Sequence, residues 1–252
     1  MAWIKRISLS LLLINNIVAE TLKGKGIGRI LMNHALAEVE VGGRIIDLGS
    51  GTAQASYNRF LKFTEPCQVT YTDFYQSGEN LVKLNLEEKF NLNNNHFDNI
   101  LCFNALEHIY NYQNVLSESY RILKPGGRFI GATPFICDYH PSPNDYFRYS
   151  SEALEKMFDA SGFKMEKMMN LGFGPFTAGW SQWGNILPNR LIFNLIKLPL
   201  LMIHIMLDYL LLMFTKRFQD NYPLGYLFIF KKWLLVIPTD SDLPKATSEE
   251  RR

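Results

Sequence analysis

The segment 44–52, RIIDLGSGT, constrains this chain more than any other: a short apolar run, an aspartate, then two glycines one residue apart. An apolar run of that length closed by a glycine turn predicts a buried strand feeding a helix, which lets a nucleotide-like ligand lie against bare backbone. A dinucleotide-binding turn needs a third glycine three residues after the second, and Gln54 stands there. Asp47, two residues before Gly49, sits at the carboxyl end of the strand, where its charge would repel a pyrophosphate and attract an amino group.

S-adenosylmethionine carries such an amino group, a cationic sulfonium and no phosphate. Residues 68–72, QVTYT, form a second β-rich stretch that ends in Asp73. That acid lies roughly 20 residues past the glycines, where a carboxylate can accept hydrogen bonds from both ribose hydroxyls.

With 252 residues, 47% of them hydrophobic and 20% charged, the chain can bury one full α/β core with additions. A net charge of +2 without a basic stripe gives no reason to expect nucleic acid. Cys67, Cys102 and Cys137 are widely spaced and lack a CxxC or a matching histidine pair, so reduced thiols and no metal are expected. Further strands are predicted at 81–84, 98–103, 128–132, 163–171 and 226–231. Helices capped by Asn111 and Ser150 lie between them, and KPGG (124–127) turns the chain back. This alternation predicts a doubly wound sheet, with the ligand at the carboxyl ends of the strands, where Asp47, Asp73 and Asn104 fall.

DLGSGT, the acid at Asp73, FDNILCFNALEHI (97–109) and RILKPGGRF (121–129) together resemble the class I S-adenosylmethionine-dependent methyltransferases, in particular the type 11 group. The resemblance covers residues 41–170 and speaks for the cofactor, not the acceptor. It implies a Rossmann-like, seven-stranded mixed sheet with a reversed last strand. It also implies that Asp47, Gly49, Ser50 and Gly51 hold the amino-acid end of the cofactor and Asp73 the ribose, with Asn104 at the same rim. Two positions depart from the pattern: Ala53 replaces a third glycine, and Asn85 stands where an acid often meets the adenine amino group.

The loop 134–149, PFICDYHPSPNDYFRY, follows the fifth strand and should overlie the pocket mouth. His140 is the base candidate because imidazole titrates near neutrality, with Asp145, Tyr146 and Arg148 for acceptor recognition. The bland alternative is a stiffened loop whose acids pair with Arg148. Similar HPxPxDYxRY segments occur in methyltransferases associated with bacterial surface polysaccharides, which implies a glycan hydroxyl as acceptor. Glu107 and His108, at the same rim, are expected to position the cofactor or the fold.

Residues 191–214 are almost wholly apolar. On a helical wheel Arg190, Asn194, Lys197, His204, Asp208 and Thr215 fall within roughly 80° of one another. A membrane-interface helix flanked by Arg190, Lys216, Arg217, Trp180 and Trp183, a dimer contact, and a lid are all open readings. That narrow polar line and Pro199 argue against a simple span. Lys5 and Arg6 before an apolar stretch mimic a secretory leader, but Asn15 and Asn16 interrupt it, so a packing helix is expected.

The expected organisation is therefore an N-terminal helical segment (1–40), the cofactor-binding core (41–171), a hydrophobic helical insertion (172–225), a closing strand (226–237) and a disordered tail (238–252). The expected activity is O-methylation of a small-molecule or glycan acceptor in the cytoplasm, with peripheral contact to the inner membrane face through residues 190–215 and a homodimer as an option. A lipid or quinone acceptor is the first alternative. A non-catalytic S-adenosylmethionine-binding module is the second.

Overall fold

The structure, a computed structural model, describes residues 5–51 and 55–233; Thr52, Ala53, Gln54 and the expected tail lie outside the described residues. The described chain runs β1 (Lys5–Arg6), α1 (Leu11–Leu22), α2 (Ile27–Leu36), β2 (Glu40–Asp47), β3 (Lys62–Asp73), β4 (Leu81–Lys83), β5 (Phe97–Phe103), α3 (Tyr112–Ile122) and β6 (Leu123–Pro134). It continues through α4 (Ser151–Ala160), β7 (Phe163–Leu171), α5 (Pro175–Trp183), α6 (Leu191–Leu212), α7 (Arg217–Asn221) and β8 (Gly225–Lys232).

One sheet of order β1-β7-β8-β6-β5-β2-β3-β4 carries the fold. β8 runs antiparallel to both β6 and β7, and every other pairing is parallel. The reversed strand is therefore the one the chain adds last. Eight strands stand where seven were expected, because Lys5 and Arg6 pair with Met169 and Asn170 at the edge.

Both faces of the sheet are covered, as parallel strands require. On one face Ile45, Leu101, Ile130 and Leu227 pack with Leu13 and Ile17 of α1, Ile30 and Leu31 of α2, and Leu201 and Ile205 of α6. On the other, Ile46, Ile100, Phe129 and Phe228 meet Val115 and Leu116 of α3 and Leu154 and Phe158 of α4. The caps fall where expected: Asn111 and Ser150 accept from the N–H groups of Asn114 and Ala153, each three residues on. Ser10 does the same for α1, whose buried Leu13 and Ile17 make it a packing helix.

Two expectations need correction. The glycine turn does not feed an α-helix; among the described residues only a single 3₁₀ turn, Ser56–Arg59, follows it, and α2 covers that face. β3 begins at Lys62, well before residue 68, because its first half lies exposed at the bottom of the sheet without apolar alternation.

The insertion between β7 and β8 turns its wheel inside out. The polar line of α6 faces inward. Asn194 and Asp208 are buried, Asn194 donating to the Leu22 carbonyl, and Asp208 accepting from Phe176 N–H (2.9 Å) and Thr177 N–H (2.8 Å) at the start of α5. The apolar side faces out, with Leu191, Ile192, Leu195, Ile203, Met206 and Leu210 each about half exposed or more. Trp180, expected as an exposed anchor, is instead buried against Trp183 and His204.

Candidate active site

The glycine turn closes on β3 through one side chain that sequence reasoning missed. Thr72 Oγ1 donates to the Asp47 carbonyl (3.0 Å) and accepts the Gly49 N–H (2.9 Å), while Gly51 N–H reaches the Thr72 carbonyl (3.1 Å). Gly49 and Gly51 sit at φ of 73° and 70°, a left-handed conformation that favours glycine. A Cβ on Gly49 would also press on Ala105 at 3.1 Å. Ser50 Oγ turns back to the Asp47 carbonyl (3.3 Å).

Asp47 is wholly buried beneath this turn. Tyr57 Oη donates to its Oδ2 at 2.7 Å, while Oδ1 has no hydrogen-bond partner. Burial pushes its pKa up to about 7, against the opposing pull of the Tyr57 hydrogen bond. Asp73, at the end of β3, spends Oδ1 on Tyr75 N–H (2.7 Å) and Gln76 N–H (2.9 Å), an Asx turn that fixes the carboxylate. Its Oδ2 points to Gly51, 3.5 Å from where a Cβ would stand. Asn85 is fixed likewise, accepting from Glu87 N–H (3.0 Å) and donating to Glu88 (2.8 Å).

A crevice of about 390 Å³ runs along the carboxyl ends of these strands. Gly49, Asp73, Asn85, Asn104, His108 and Tyr146 lie on its wall; Asp47, Ser50 and Gly51 are not among its lining residues. A second cavity of about 240 Å³ adjoins it and shares Asn104, which is held at φ 49° with its N–H on the Ala132 carbonyl (2.8 Å). Its walls mix Arg29, Lys197, Asp138 and His140 with the apolar Ile136, Trp180 and Leu201. α6 thus forms one side of this cavity, and the glycine-rich stretch 24–28 forms another as it enters α2. Arg29 was missed. It lies where burial lowers its pKa while Tyr57 and Glu107 pull the other way.

The loop 134–149 divides its residues into two jobs. Tyr146 reaches the crevice wall, whereas Asp145 and Arg148 pair with each other. Asp145 also accepts the His140 N–H (2.9 Å), and Arg148 adds a bond to the Asp138 carbonyl (3.1 Å). Arg148 holds the Asp145 carboxyl well below the usual range. These two residues brace the loop and position His140; they do not line either cavity.

His140, His108 and Glu107 meet where the cavities join. Glu107 is fully buried, and neither carboxylate oxygen has a hydrogen-bond partner. His108 Nε2 and His140 Nε2 each lie 3.8 Å from Glu107 Oε1, too long for hydrogen bonds. The Glu107 carboxylate raises the His140 pKa to about 9, with Asp145 adding to the effect.

Residues 27–168 match the family described as methyltransferase domain. Demethylmenaquinone methyltransferase of Listeria welshimeri is 30% identical over 146 residues, 50% of this chain and 61% of that protein. The chain thus spans about three-fifths of that relative's length. Among solved structures, an S-adenosylmethionine dependent methyltransferase from Mesorhizobium loti superposes with a TM-score of 0.50 at 14% identity, covering 83% of this chain and 99% of that one. The [4+2]-cyclase SpnF superposes with 0.51 at 13% identity, covering 88% and 95%. A cyclase among the neighbours means that the fold by itself does not name the reaction. The family match spans more than half of the chain and contains the glycine turn, Asp73 and the Glu107 rim, and on that ground the chain belongs to the methyltransferase domain family.

Proposed function

We propose that this enzyme transfers the methyl group to a hydroxyl oxygen of a small-molecule or glycan acceptor presented at a membrane surface. The observation that carries the proposal is the junction of two cavities at Asn104, one walled by the cofactor motifs and the other by mixed polar and apolar side chains beneath α6. In this reading the cofactor lies in the larger crevice. Asp73 Oδ2 holds the ribose, Asn85 meets the adenine, and the turn at Gly49, Ser50 and Gly51, backed by Asp47, takes the amino-acid end. The sulfonium methyl then faces the smaller cavity.

Methyl transfer from sulfur is an in-line displacement with a good leaving group. The protein therefore contributes chiefly by holding the acceptor oxygen at attack distance away from water. Arg29 and Lys197 suit an anionic or hydroxyl-rich head group, Tyr146 closes the cofactor side, and the proton of the hydroxyl departs at the Glu107, His108 and His140 rim. The outward apolar side of α6, flanked by exposed Arg190, Lys216 and Arg217, supports a cytoplasmic enzyme lying peripherally on the inner membrane face.

A second reading has a specific observation behind it: relatives named demethylmenaquinone methyltransferase match half of the chain at 30% identity. Under it the acceptor is a quinone, and the apolar walls of the smaller cavity guide its tail. Incubation with methyl-labelled cofactor, membranes and soluble glycan precursors separates the two. Label in an acid-stable methyl ether of a sugar supports the first reading; label confined to carbon in the quinone fraction replaces it with the second. Tight cofactor binding with no S-adenosylhomocysteine released by any acceptor would leave a binding module.

A further inference from the structure

We propose that Glu107, His108 and His140 form a binding site for one divalent transition-metal ion, set at the junction of the two cavities with an open position toward the acceptor oxygen. One ligand atom from each residue lies within 4.8 Å of the others. Both Nε2 atoms already stand 3.8 Å from Glu107 Oε1; an ion bound at about 2.0–2.2 Å to each ligand brings such atoms to roughly 3–4 Å apart, so the cluster closes when the two imidazoles approach each other by up to about 1 Å.

The tautomers are already set for this. His108 Nδ1 lies 2.6 Å from the Asn144 carbonyl and His140 Nδ1 lies 2.8 Å from the Asp138 carbonyl. A carbonyl only accepts, so each ring donates from Nδ1 and leaves Nε2 facing the same carboxylate oxygen, where an ion would displace any proton that His140 holds. Outer hydrogen bonds of this kind orient metal-bound imidazoles. Between them sits the second observation: a carboxylate that is completely buried and has no hydrogen bond on either oxygen. Burying such a group is costly unless something cationic completes it.

The backbone holds the set together. The Glu107 carbonyl accepts from both Tyr146 N–H (2.9 Å) and Phe147 N–H (3.2 Å), which brings the loop bearing His140 over the short 3₁₀ turn Leu106–His108. Two imidazoles and one carboxylate suit a borderline divalent ion such as Mn²⁺, Co²⁺ or Zn²⁺. The role of the ion rests on the oxygen-acceptor reading above; its binding does not. Coordinated to the ion, the acceptor hydroxyl loses its proton to water more readily. The oxygen then forms a bond to the methyl carbon as the carbon–sulfur bond breaks, the electron pair staying on sulfur to give S-adenosylhomocysteine.

The alternative occupant is a proton held between His140 and Glu107, and direct titration decides between them. The chelator-treated full chain is titrated with Mn²⁺, followed by loss of the free-ion paramagnetic resonance signal, and with Co²⁺, followed by its visible spectrum. One ion per chain is expected, with no sulfur-to-metal charge-transfer band from Cys137. Glu107→Gln should weaken binding roughly 100-fold, while His96→Ala, remote from the cluster, leaves it unchanged. His108→Gln repeats the test should Glu107→Gln fail to fold by circular dichroism. No saturable binding, or binding that Glu107→Gln and His108→Gln leave intact, overturns the site. Cofactor affinity measured in parallel keeps the failures apart: a chain that binds cofactor but no ion loses the metal and keeps methyl transfer. Ion binding without transfer to any hydroxyl upholds the site and removes the acceptor reading instead.

Discussion

Asp47 answers to two opposed demands. Folding would have it neutral, because it is wholly buried with one oxygen unpaired; a cationic cofactor end would have it charged. Its pKa, raised from about 3.9 in the unfolded chain to about 7 in the fold, has a definite sign for stability. The folded state binds this proton more tightly. The resulting stability is present in full below the unfolded value, falls as pH rises between the two, and is gone above about 7. Asp47→Asn keeps an oxygen for Tyr57 and removes the charge, so at pH 8 the variant should be more stable than the parent by about 1–3 kcal/mol. At pH 4 the two should nearly coincide in denaturant titrations. The same variant should bind S-adenosylmethionine more weakly, and a parent chain without pH-dependent stability in this window would refute the account. Asp73 makes the simpler case: its Oδ1 is committed to the turn at Tyr75 and Gln76, leaving Oδ2 for a ligand. Asp73→Ala should cost about 1–3 kcal/mol of cofactor binding, read by calorimetry. Asp73→Asn, which keeps the turn but not the charge, should fall between.

At the scale of elements, α5 and α6 depend on one carboxylate. Asp208 lies far along α6 yet receives the first free N–H groups of α5, a cap supplied across the fold because Gly174 at the cap position has no side chain to offer. Asp208→Ala should destabilise the protein by about 1–3 kcal/mol and speed amide exchange at Phe176 and Thr177. Unchanged exchange there would mean that solvent already satisfies those groups. The wheel placed Asp208 on one line with Asn194 and Lys197, but a wheel has no inside; only the partner surfaces of α1 and α5 decide which side turns inward. Strands β2, β5, β7 and β8 were legible because their apolar runs are buried on both faces. The start of β3 was not, since Lys62 to Glu65 are exposed and Lys62 to Thr64 are held by pairing with Glu40 to Gly42 of β2. Among the described residues the helix expected after the glycine turn is cut to Ser56–Arg59, since β3 already begins at Lys62. At the site, Gly49, Asp73 and Asn104, read from strand ends and spacing, and Asn85, read from the resemblance, all line the larger crevice. Thr72, Tyr57 and Arg29 could not be read in this way, because their roles come from contacts between elements distant in sequence. Asp145 and Arg148 were read as facing the acceptor, but their charges satisfy each other first.

For the whole molecule, the outward side of α6 sets an orientation. Leu195, Ile203, Met206 and Leu210 share that side, and Leu11 and Leu12 of the neighbouring α1 are exposed as well. Such a surface is costly in water at roughly 25 cal/mol per Å² of apolar area and is the kind that marks a membrane or protein contact. Since the polar line of the same helix is tied to α1 and α5, the helix cannot leave the domain to span a bilayer without breaking the Asn194 and Asp208 bonds. A helix lying in the interface needs no such break, and it would set the cavity that it walls against the lipid head groups. The protein should therefore sediment with vesicles containing anionic lipid and do so less at high salt, as Arg190, Lys216 and Arg217 are screened. The triple variant L195E/I203E/M206E changes three exposed positions, so its melting temperature should stay near that of the parent while vesicle binding is lost. If the parent fails to sediment with vesicles but forms a dimer that the triple variant dissociates, the apolar side belongs to a second copy of the chain. If the variant unfolds, the side chains are needed within the domain and α6 is a lid. Retained vesicle binding by a folded variant would remove α6 from the membrane contact altogether.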